Sequence, residues 1–209
     1  MKLIREAWGI VRENRKVYIA INAVYYGLVV VCMVVVAFNQ PLQDQLLESV
    51  GEAFTGGWLS AVGSAYSNAE VLRAILLTFL VNLVLGSFLE ITVPSAIIPF
   101  SGLLVGILRA VLWGLILSPA NPDLRLAMIP HSITLLLEGQ AYILVMLATY
   151  VQGRAFLWPK TAGVEGHGRG YLQGLKQTGK LYILVVLTLA AAAIYEVIEV
   201  VLMIQLSGG

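Results

Sequence analysis

His131, Thr134, Glu138 and Tyr142 recur at steps of three and four residues, so on a helix they form one stripe, which Val145 and Thr149 continue. An imidazole, a hydroxyl, a carboxyl and a phenol in a row can bind a ligand, a proton or a cation, or can satisfy a buried charge from a neighbouring helix. The setting makes the choice matter. Ile129–Val151 is otherwise apolar and long enough to cross a bilayer, which takes about 20 residues. An ionisable group at the bilayer centre costs roughly 2.5–3.5 kcal/mol on insertion scales, so it ordinarily has a partner or a task. Arg109, Glu196 and Glu199 lie in other apolar stretches, and the two glutamates, three residues apart with Tyr195 beside them, share a helix face.

Several chemistries lack their residues. A catalytic zinc site takes three protein ligands, but the stripe has one His, His167 lies far away in sequence, and there is no His-Glu-x-x-His. No Gly-x-Ser-x-Gly elbow marks a hydrolase. Cys32 is the single cysteine, which excludes a disulfide framework and a cysteine metal site. No catalytic residue, metal or cofactor is expected. Fifty-nine per cent apolar and 12% charged residues, with a mean hydropathy of +0.86, stand against about 25% charged residues in soluble domains. The 209 residues read as one all-α membrane domain over 1–209. The net charge of +1, without a basic patch, gives no reason to expect nucleic acid as a partner. The first 16 residues hold five Lys or Arg and two Glu, and the apolar run after them has no small-residue cleavage site, so no signal peptide is expected.

Five spans are predicted, near 17–38, 71–89, 91–117, 129–151 and 181–204. Lys2, Arg5, Arg12, Arg15 and Lys16 precede the first. Arg154, Lys160, Arg169, Lys176 and Lys180 follow the fourth. Residues 39–70 hold no basic residue before Arg73, and the loop after span three holds Arg125 alone. Basic loops stay cytoplasmic, so the N-terminus is expected inside and the C-terminus outside. At a rise of ~1.5 Å per residue, Arg109, Glu138 and Glu196 each fall ~12–13 Å from an outer helix end, Glu199 ~7 Å, and His131 at the rim. Two readings follow. Arg109 and one Glu form a buried pair that sets helix register, or the groups line a polar cavity open to the outside. Three glutamates against one arginine leave a carboxylate that must hold a proton or bind a cation.

Other residues point to scaffolding of the bundle. Gly102 and Gly106 form a Gly-x-x-x-Gly step for close helix approach, and Asn82 is placed to hydrogen-bond between helices. Pro94 and Pro99, with Glu90, predict a tight inner hairpin. Leu46, Leu47, Val50 and Phe54 alternate with Asp44, Glu48 and Glu52 as an outer amphipathic helix that ends at Gly56-Gly57, with a second around Trp58–Tyr66. Leu3, Ile4, Trp8 and Val11 suggest an inner interfacial helix. Gly163, Gly166, Gly168 and Gly170 predict a flexible 160–180 loop able to dock a partner.

The chain resembles the stage II sporulation protein M (SpoIIM) family of multi-span membrane proteins. The likeness rests on Arg5–Lys16 before the first span and on Phe79-Leu80-Val81-Asn82-Leu83. It also rests on Phe100-Ser101-Gly102 through Gly106, Pro130-His131, Gly153 to Pro159, and Ala192-Ala193-Ile194-Tyr195-Glu196. It departs at Ser101, where the family usually has Asn, at Ser132, where Gly follows the His, and at Leu135, where the family's Glu commonly stands while this chain has Glu138. The resemblance implies a non-enzymatic scaffold or complex component in a prokaryotic cytoplasmic membrane, with protein partners in the membrane or further copies of itself. The alternative reading is a small transporter or channel subunit with an outward site formed by Arg109, Glu138 and Glu196.

Overall fold

The computed structural model describes residues 2–207, with side chains to residue 203. It is 85% helical, without a strand among the described residues. Four helices are long and apolar enough to cross a membrane: Arg15–Val36, Val71–Ile97, Met128–Leu157 and His167–Met203; Ser101–Ile116 is apolar but shorter.

Helix α1 (Lys2–Glu13) turns Ala7, Ile10 and Val11 inward and leaves Leu3, Ile4 and Trp8 exposed. It lies along α9, where Lys180 pairs with Glu6 at 3.0 Å. Asn14 closes the joint to α2 (Arg15–Val36) by donating to the Ile10 carbonyl. Helix α2 packs on α7, and Gly114 allows the approach: a Cβ there would run into the Val29 backbone.

Helices α3 (Gln40–Thr55) and α4 (Ser60–Ser67) occupy the connection to the next long helix. Asp44, Glu48 and Glu52 are exposed while Leu46, Leu47, Val50 and Phe54 are half-buried. A residue off that stripe anchors the element. Gln43 is fully buried, and its amide donates to the carbonyls of Ile116 and Ser118 at the end of α7.

Helix α5 (Val71–Leu80), a π-helical segment (Val81–Thr92) and α6 (Val93–Ile97) run on as one rod. The expected break at residue 90 is therefore displaced. Pro94 falls in the first turn of α6, where a missing N–H is tolerated. The chain turns at Ile98-Pro99-Phe100 instead. Ile98 is forced extended before Pro99 (φ −115°, ψ 105°). Phe100 follows at φ +69°, its ring packed between Tyr150, Trp158 and Gly153.

Helix α7 (Ser101–Ile116) leads to α8 (Met128–Leu157), a central post buried on nearly every side between Ala141 and Ala155. Helix α9 (His167–Ser207) lies along it in the most extensive helix pair of the molecule. The loop expected over 160–180 is short. A 3₁₀ turn (Pro159–Ala162) and the left-handed Gly163 and Gly166 complete it, and α9 starts at His167. Gly170 and Gly174 serve close packing there: a Cβ at either would strike the backbone of Ala155 or Gln152.

Candidate functional site

The stripe on α8 meets polar groups from four other elements, and it divides into two joined parts. The first part centres on Arg109, the ninth of sixteen residues in α7. Its Nη1 pairs with Glu90 at 2.5 Å, and its Nη2 donates to the Tyr142 hydroxyl at 2.9 Å. The guanidinium also lies over the Tyr142 ring, 4.1 Å from its centroid. The Tyr142 hydroxyl donates to Asn82 Oδ1 at 2.8 Å, and Asn82 Nδ2 donates to Glu138 Oε1 at 2.5 Å. The π-helical segment positions this part. Asn82, Gly86 and Glu90 follow each other at steps of four along it, facing Glu138, the guanidinium and the guanidinium again. Gly86 is the space the arginine occupies: a Cβ there would lie 2.9 Å from Nη2 and 3.1 Å from the Tyr142 oxygen. π-Helical turns are rare, and short ones inside α-helices are frequent at functional sites. The Thr92 side-chain hydroxyl donates to the Ser87 carbonyl, five residues back.

The second part lies toward the end bearing α4. His131 Nδ1 meets Glu199 Oε1 at 2.5 Å, and Thr134 donates to Glu199 Oε2 at 3.0 Å. Tyr195 donates to the Pro130 carbonyl, which ties α9 to the first turn of α8. Glu196 stands between the two parts. Its carboxyl lies in hydrogen-bonding reach of the Glu138 carboxyl and of the Tyr66 hydroxyl from α4, and it feels the charges of Glu199 and His131 through space. Its Oε2 is buried without a hydrogen-bond partner. Tyr66 is also bonded to Thr78 of α5 at 3.0 Å.

Arg109, His131, Thr134, Glu138, Tyr142, Glu196 and Glu199 are thus brought into one neighbourhood. The partner of Arg109 differs from the three carboxylates considered for it: Glu90 takes the pair, and Glu138 is reached through Tyr142 and Asn82. Glu199 has His131. The groups pack against one another, while a cavity of about 110 Å³ lies at the other end, beside Asn14, Arg154, Thr161 and Gln177. Gly102 approaches Ile91 and Thr149, and Gly106 approaches Met146. Among the described residues, no group of three His, Cys, Asp or Glu could hold a metal ion.

Sequence reasoning missed Gly86, the role of Glu90, and a second network. On α2, Tyr18, Asn22 and Tyr26 all bond to Gln140 of α8, at 2.6, 2.6 and 3.1 Å. The signal was there: three polar residues spaced four apart on an apolar helix. No protein-family model, curated protein or solved structure matches the chain.

Proposed function

We propose that this chain is a non-enzymatic integral membrane protein that assembles with other proteins in a prokaryotic cytoplasmic membrane, as the likeness to the stage II sporulation protein M family implies. The proposal includes five spans, with the short α7 as the third, and an inward N-terminus. Four contacts, two at each end, support that orientation. Lys180 with Glu6, and Arg154 with Asn14, hold both basic segments at one end. Gln43 with Ser118, and Asn121 with Asp44, hold the two poorly basic connections at the other.

The observation that carries assembly is Glu90. Its side chain is 50% exposed beside the midpoint of α7, and Phe88 and Leu89 next to it in the chain and Leu104 and Leu108 on α7 are exposed too. Acyl chains are poor surroundings for half a carboxylate, whereas a protein neighbour can satisfy it. A photo-crosslinking residue at Phe88 tests this in native membranes. A discrete heavier adduct is expected from Phe88 and not from Ile19 of α2; adducts to lipid alone would overturn the reading.

A second reading, a small transporter or channel subunit, is favoured by the continuity of the polar line from His131 to Arg109. It predicts that Glu138→Gln or Glu196→Gln abolishes flux in proteoliposomes while leaving expression intact.

A further inference from the structure

We infer that Glu138 and Glu196 together form a proton-binding site loaded from the α4 end of the bundle through His131 and Glu199. This rests on the transport reading for its purpose, but the site stands on its own geometry.

The pair is made of adjacent carboxyls from two helices. Glu138 is 3% exposed, and Glu196 has an unpartnered buried oxygen. Two carboxylates in contact away from water repel, and the arrangement that relieves them is one proton shared between them, as in paired-carboxylate enzyme sites. No fixed cation takes that place. Arg109 on α7 attracts Glu138 through space, but its hydrogen bonds go to Glu90 and Tyr142. The other groups facing the pair are Tyr66 from α4, Tyr25 from α2, and His131, Tyr142 and Glu199 from α8 and α9. None of these is a permanent cation. A buried oxygen without a donor, next to a second carboxyl, is where a proton fits.

The two sides of the pair differ in what they can pass on. On one side, His131 is part-exposed, and its Nδ1 is hydrogen-bonded to Glu199. An imidazole can take a proton from water at Nε2 and release one at Nδ1 to the carboxylate. Glu199 lies three residues from Glu196 on the same face of α9, and Thr134 fixes its second oxygen. On the other side stand the Asn82 amide and, beyond Tyr142, the Arg109 guanidinium, groups that donate hydrogen bonds without giving up a proton. The line is therefore open to protons at the His131 end and closed at the Arg109 end. It is a loading site that needs a conformational step to empty on the far side.

Infrared difference spectroscopy on the purified protein in lipid tests this. A protonated-carboxyl C=O band is expected that vanishes as pH rises, shifts in D₂O, and is absent in both Glu138→Gln and Glu196→Gln. His131→Ala should keep the band and slow its exchange in D₂O at least several-fold. Wild-type protein without such a band at any pH would overturn the site whatever the variants do. So would a band displaced by sodium at constant pH, which would assign the pair to a metal cation. His131→Ala with unchanged exchange would overturn the route. Proteoliposomes separate the two claims: a titrating band without flux removes the transport reading and leaves the proton site.

Discussion

Arg109 illustrates how a charge is accommodated inside an apolar helix. It is held by a carboxylate, a phenol oxygen and a ring face at once, and Gly86 supplies the room. Gly86→Ala places a methyl where the guanidinium lies. With the arginine already fixed at two atoms, relief requires breaking the bond to Tyr142. A loss of about 1.5–3 kcal/mol is expected, the range for hydrogen bonds to charged groups. It should be read as a lower thermal midpoint in detergent, and Gly106→Ala at the Met146 contact provides the comparison for simple crowding. The ionisable residues were all visible in the sequence, because charges stand out in apolar stretches. Their pairing was not. Glu90 was read as part of a turn, since two prolines follow it, and was never weighed as the partner of Arg109.

At the scale of elements, short segments are secured by single polar residues. Gln43 ties α3 to the end of α7 by giving both amide hydrogens to backbone carbonyls that a helix C-terminus leaves open. Gln43→Ala removes both bonds and leaves two buried acceptors. A cost of about 1–3 kcal/mol per unsatisfied group is expected, seen as faster hydrogen exchange across 40–55 with α8 unchanged. The amphipathic pattern of α3 was legible in its alternation of apolar and acidic residues. Its anchor was not, because a lone Gln among exposed polar residues carries no periodic signal. The glycines before Lys180 were misread for a related reason. Composition cannot separate a glycine that turns a loop, such as Gly163, from one that admits another helix, such as Gly170.

At the scale of the whole molecule, α1 is a strap across the basic end of the bundle, held by the Lys180–Glu6 pair and by the Arg154 bond to Asn14. The hydrogen bond and charge of Lys180 hold the Glu6 carboxyl below the usual carboxylate range. The contribution of that pair is present at neutral pH and lost as pH falls through the lowered value. Acid should accordingly lower the hydrogen-exchange protection factors, rates divided by the intrinsic rate at each pH, over residues 2–13, and Glu6→Gln should make protection there low at every pH. If protection in that segment does not respond to pH, packing alone holds the strap. Hydropathy alone determined that the chain is helical and rich in membrane-length segments, because the length of an apolar run and its lack of charge are local quantities. It also determined which residues are costly and so in need of partners. Tertiary structure decided who the partners are, which proline ends a helix, and that a π-helical segment aims Asn82 and Glu90 at Glu138 and Arg109. These depend on which helix faces meet, and that is set by packing between residues distant in the chain.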